Sequence, residues 1–243
     1  MIDIFLDPIL TLAFPRACRV CGGSVESLSY GPACGLCWDS TRIFTGRESC
    51  CSKCGQLIPT GRFDPSSRCS ECVTDYYDRA AAAADYHFAA RASVLALKEE
   101  PFLARRVREL LTGRFDSSGF YAATMIVPVP LSKRRFIERG FNQAEILAAA
   151  LENHTGIRTA ADVLERTAHF AMHRAGMDRK ARERSVDKAF GVTKPKLVRE
   201  ERILLVDDVF TTGSTASACA KTLKASGAAE VNVLTLARTP HFL

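Results

Sequence analysis

The sequence predicts an α/β protein: a parallel sheet flanked by helices, preceded by a small cysteine-rich module. Three observations carry that expectation. Ile203-Leu204-Leu205-Val206 is a short aliphatic run with no polar face, which is how a central parallel strand covered on both sides reads. A small-residue loop and the Ala-rich stretch Ala216–Ala225, of helical spacing, follow it, and a second apolar run lies at Thr124–Val129. Nine of the 10 cysteines fall between Cys18 and Cys72, and eight of those form CxxC pairs.

The pairs are Cys18/Cys21, Cys34/Cys37, Cys51/Cys54 and Cys69/Cys72. A CxxC turn puts two sulfurs on one side of the backbone, so four turns supply two tetrahedral thiolate zinc sites. Sequential and interleaved pairing both use these ligands. Four thiolates leave no open position for water, so the metal is expected to be structural. Regular spacing in a chain expected to be cytoplasmic argues against a disulfide framework. Cys50 breaks the pattern and is read as a spare thiol. Residues 1–78 offer little other core beyond Phe14, Trp38 and a few aliphatics, so metal must hold them together.

A boundary is expected after Tyr76-Tyr77-Asp78, dividing the chain into 1–78 and 79–243. Ala80–Phe88 has strand character, and Ala92–Leu97 and Phe102–Leu111 read as helix broken at Pro101. Ser117-Ser118-Gly119 reads as a loop. The strand Thr124–Val129 leads into Ser132, Lys133, Arg134 and Arg135, a basic turn that forms an anion site if its strand lies beside Ile203–Val206. Arg139-Gly140-Phe141-Asn142-Gln143 then opens a helix over Ala144–Leu151. The basic segment between Leu164 and Phe190 carries Arg174, Arg179, Lys180, Arg182 and Arg184, and reads either as a loop closing over a ligand or as an exposed helix. Glu230–Ala237 is the closing strand.

Asp207 and Asp208 follow the central run, and Thr211-Thr212-Gly213-Ser214-Thr215 precede the helix. Backbone N–H groups and the positive helix end suit a phosphate there. The acids would repel phosphate, so they are expected to meet sugar hydroxyls or a divalent cation. Together these groups would hold a sugar phosphate.

Ile203–Thr215 resembles the phosphoribosyl pyrophosphate signature of type I phosphoribosyltransferases. Together with Ile126–Ala144, IVPVPLSKRRFIERGFNQA, and the cysteine pairs, it makes the chain similar to the ComF family, phosphoribosyltransferase-like proteins linked to DNA uptake. The resemblance implies a type I phosphoribosyltransferase-like sheet. It implies that Asp207 and Asp208 are the catalytic acids on the ribose and that Thr211, Thr212, Gly213, Ser214 and Thr215 hold the 5′-phosphate. Ser132, Lys133, Arg134, Arg135 and Arg139 would lie on the pyrophosphate side, with Mg²⁺. Relatives carry a glutamine near Arg174 and an asparagine near Ser185, which this chain lacks.

A chain of 243 residues with net charge +6 and pI near 8.8 favours anionic partners. Phosphoribosyl pyrophosphate is the ligand expected of an enzyme. Single-stranded DNA or a DNA-uptake helicase is the partner expected of a non-catalytic adaptor. The first residues lack the basic start of a secretory signal, and no later run is long enough for a membrane span.

Overall fold

The computed structural model describes Thr11 and residues 15–58, 68–167 and 189–239. In chain order the elements are α1 (Gly35–Asp39), β1 (Arg79–Asp85), α2 (Phe88–Glu99), α3 (Arg105–Ser118), β2 (Met125–Pro128), α4 (Lys133–Arg139) and α5 (Gln143–Thr155). They continue with β3 (Leu164–Arg166), β4 (Phe190–Val192), α6 (Pro195–Val198), β5 (Arg202–Phe210), α7 (Ser214–Ala225) and β6 (Glu230–Arg238). Strands β1, β6, β5 and β2 form one parallel sheet in that order, while β3 and β4 make a separate antiparallel ribbon.

Ile203–Val206 lies in the interior of this sheet, paired on both edges and buried on both faces. Its side chains alternate between two cores. Leu204 and Val206 join Leu97, Val107, Leu111, Leu147 and Leu151 from α2, α3 and α5. Ile203 and Leu205 join Ala216, Cys219, Ala220 and Leu223 from α7. Strand β1 is mostly alanine, a poor strand former in isolation, and it is held by pairing with β6 and by burial of Ala80–Ala84.

Several boundaries differ from the sequence expectation, among them the strand read over Ala80–Phe88, which ends at Asp85 while Phe88 opens α2. Strand β5 continues through the acids to Phe210, because Asp207 pairs with Thr235 and Phe210 with Arg238. The basic stretch after β2 is not a turn: Ser132 caps it by accepting from the Arg135 N–H, and Lys133–Arg139 is helical. Helix α3 runs through Ser118, stopping at left-handed Gly119, so the expected loop is its last turn.

The cysteine-rich segment packs against the sheet. Cys18, Cys34, Cys37 and Trp38 pack into the α2–α3 core, whereas Cys51, Cys54 and Cys72 pack into the α7 core. One cysteine cluster therefore sits on each face of the sheet. Among the described residues no helix is long and apolar enough to cross a membrane.

Candidate functional site

Consecutive strand residues point to opposite faces, so Asp207 and Asp208 diverge. Asp208 turns toward α2 and α5 and is buried. Its Oδ2 lies 2.9 Å from Lys98 Nζ and accepts from Gln143 Nε2 at 3.3 Å. Gln143 in turn accepts from Arg139 Nη1 at 2.9 Å. The preceding Asn142 caps α5 through the Ala144 N–H and donates to the Val129 carbonyl at 3.1 Å, tying the exit of β2 to the helix. The Arg139–Gln143 box thus reaches Asp208 through hydrogen bonds.

Asp207 is half-buried, and its Oδ1 accepts the Asp208 N–H at 2.8 Å. Burial, reinforced by the Asp208 charge, pushes its carboxyl well above the usual carboxylate range, with Lys98 opposing. Just beyond, Thr211, Thr212, Ser214 and Thr215 are exposed around buried Gly213. Gly213 is left-handed at φ 78°, and a Cβ there would stand 2.8 Å from Phe210 Cζ and 3.2 Å from the Tyr77 hydroxyl. As N-cap it offers no side chain to the first-turn N–H groups of α7, of which the Ser214 N–H donates to Thr212 Oγ1 at a long 3.4 Å. An anion can take that place.

The predicted cations do not all meet this loop. Lys133 borders a separate depression with Leu131, Phe136 and Ile137, and Arg134 pairs with Glu138 at 2.7 Å. The cavity that reaches Thr211 and Thr212, about 360 Å³, is lined by Tyr77, Phe210, Arg238 and the second cysteine cluster. The bases Arg174, Arg179, Lys180, Arg182 and Arg184 lie outside the described residues.

The cysteine clusters pair sequentially, Cys18/Cys21/Cys34/Cys37 and Cys51/Cys54/Cys69/Cys72, with the four sulfurs of each within 4.8 Å of one another. Sγ–Sγ distances of 3.7 Å in the first and 3.5–3.6 Å in the second approach the edge of about 3.8 Å that a tetrahedron with Zn–S near 2.3 Å requires. Burial would raise Cys18 and Cys51, but backbone N–H donors outweigh it and lower both thiols to about 6. Burial and neighbouring sulfurs push Cys54 up to about 12 and raise Cys37 and Cys72 further. A central dication reverses that repulsion, so both groups fit a structural zinc. Cys50 belongs to neither.

The phosphoribosyl transferase domain family matches residues 93–241. A DNA utilization protein YhgH of Salmonella typhi is 30% identical over 246 residues, covering 94% of this chain and 99% of its own. The chain belongs to the ComF family. Competence protein F of Haemophilus influenzae is 37% identical over 114 residues, 46% of this chain and 49% of that one. Competence protein ComFC of Bacillus subtilis is 32% identical over 120 residues, 47% of this chain and 45% of that one.

Three residues of this ComF site escape sequence reasoning. Lys98 in the last turn of α2 reads as an ordinary complement to the helix dipole. Tyr77 reads as a boundary residue and Arg238 as a strand end. Only the buried carboxylate of Asp208 hints that some cation must come to it, without saying which.

Proposed function

We propose that the protein binds phosphoribosyl pyrophosphate with Mg²⁺ and transfers phosphoribose to an acceptor, in the service of DNA uptake, its relatives being named for competence or DNA utilization. The supporting observation is the exposed Thr211–Thr215 loop, which leaves the end of β5 just past the two acids and enters α7 through Gly213. In this reading the loop's amides and hydroxyls hold the 5′-phosphate. Asp208 is already neutralised by Lys98, so Asp207 is the acid left for the ribose hydroxyls. Ser132–Arg135 and Arg139 stand on the pyrophosphate side, next to the end of β2. Mg²⁺ bound with the pyrophosphate offsets leaving-group charge. No covalent nucleophile is required, because anchoring the remote phosphate positions the ribose for displacement. The reading divides the chain at residue 78, with a zinc-holding module before it and a phosphoribosyltransferase-like domain after it, in the cytoplasm.

The test is pyrophosphate release from phosphoribosyl pyrophosphate with a panel of bases and amines. Asp207→Asn is expected to abolish turnover and ligand binding. The same change should stabilise the ligand-free protein by about 0.5–2 kcal/mol, as removal of strained site charge commonly does. The sign follows from the raised carboxyl: a group whose folded value lies above its unfolded value costs stability once pH exceeds it. Undiminished turnover in Asp207→Asn would refute the assignment.

A second reading rests on α4, which buries none of its residues. Phe136 and Ile137 are 47% and 82% exposed beside Lys133, Arg134 and Arg135. Exposed aromatic and basic residues together suit single-stranded DNA, or a helicase partner that carries it. Fluorescence anisotropy with oligo-dT should show a salt-dependent affinity that falls when the three cations become alanine. An unchanged affinity would remove α4 from consideration.

A further inference from the structure

The two cysteine clusters are not equivalent with respect to the loop. The second lines the cavity that also reaches Thr211 and Thr212, through Cys54, Cys69 and Cys72. No cysteine of the first cluster lines that cavity.

Two connections run from the second cluster to the loop. Arg238, the last residue of β6, is buried. It donates from Nη1 to the Cys54 carbonyl at 2.6 Å and from Nη2 to Gln56 Oε1 at 2.8 Å. Its guanidinium lies 5.3 Å from the centroid of the Phe210 ring, the residue that ends β5. The other connection starts at Cys72, whose carbonyl accepts from the Asp75 N–H at 3.2 Å. Asp75 accepts from the Tyr77 hydroxyl at 2.6 Å, and the Tyr77 ring meets Phe210 edge-on at 5.8 Å. The Tyr76 N–H also donates to Ser217 Oγ, in the first turn of α7, at 3.1 Å. Tyr77 and Phe210 are the two side chains that close over Gly213, whose left-handed backbone sets the direction of the loop amides.

We propose that the second cluster is a wall of the phosphoribosyl site, so that metal at Cys51/Cys54/Cys69/Cys72 and a sugar phosphate at Thr211–Thr215 each strengthen binding of the other, while the first cluster is uncoupled. The inference rests on the phosphoribosyl reading of the loop. Its physical content is linkage. Metal fixes Cys54 and Cys69–Cys72, which hold Arg238 and Tyr77, which hold Phe210 against Gly213. A ligand that selects this arrangement of the loop must therefore favour the metal-bound form of the wall by the same factor.

The test uses the full-length, zinc-loaded wild-type protein. Zinc release to a colorimetric chelator is followed with and without ribose 5-phosphate, and alkylation of the freed thiols with peptide mapping identifies which cluster has opened. Equilibrium dialysis measures ribose 5-phosphate binding independently. The expected result is that ligand slows opening of Cys51/Cys54/Cys69/Cys72 by about fivefold or more, the lower end of typical coupling, and leaves Cys18/Cys21/Cys34/Cys37 unchanged. Arg238→Met should retain both metals and lose the protection. Binding with no change in release, or equal slowing at both clusters, overturns the coupling and leaves the phosphoribosyl site standing. Absence of binding in dialysis overturns both.

Discussion

Lys98→Met is expected to lower the unfolding free energy by about 2–4 kcal/mol in urea denaturation. Breaking a buried ion pair typically costs about 3–5 kcal/mol, because the surviving charge is left without a partner. Here the lower part of that range applies: the Lys98 side chain is 28% exposed, although that of Asp208 is only 9% exposed. Gln143 also donates to the same oxygen and remains after the substitution. The methionine keeps the apolar stem, so the loss reports charge rather than packing. Adding Asp208→Asn should recover most of it, since the pair can then be absent without an orphaned carboxylate. A single substitution costing under about 1 kcal/mol, or a double variant no better than the single, would mean that Asp208 does not depend on Lys98.

How much of this could be read in advance depends on where each partner lies along the chain. Ile203–Thr215 is legible because strand, acids, glycine and hydroxyls are contiguous, and local chemistry alone decides their geometry. The cysteine clusters are legible for the same reason within each CxxC turn. The choice between sequential and interleaved pairing is not, since it depends on how the segments between the turns fold back. The Lys98–Asp208 pair joins two elements that no short-range pattern relates. Lys133–Arg135 reads as a basic turn because proline and serine precede it; Ser132 is instead a helix cap, and the cations occupy successive positions of the helix it starts. The reach of β5 past its acids was hidden because aspartate disfavours strands in isolation, and pairing with β6 overrides that preference.

Stripping the metals is expected to have the largest effect of all. Structural zinc contributes on the order of 10 kcal/mol to folding in small cysteine-ligated units, which is comparable to the whole stability of a typical domain. The substitutes available here are few: among the described residues of the cysteine-rich segment most buried apolar positions are the cysteines themselves, with Val25, Trp38, Phe44 and Tyr77 among the rest. Both cores of the sheet include cysteines of a cluster, so the loss should spread beyond the segment. The single tryptophan distinguishes the two clusters. Trp38 follows Cys37, is buried, and donates from its indole nitrogen to the Tyr30 carbonyl at 3.0 Å. Opening the first cluster should therefore red-shift tryptophan emission, whereas opening the second should lower the urea midpoint before the emission moves. Cys18→Ser and Cys51→Ser test the two separately, with zinc content, emission and circular dichroism measured on each. A metal-free chain that kept its urea midpoint and its buried tryptophan signal would show that packing alone holds these turns, contrary to what the crowding of four sulfurs in each cluster requires.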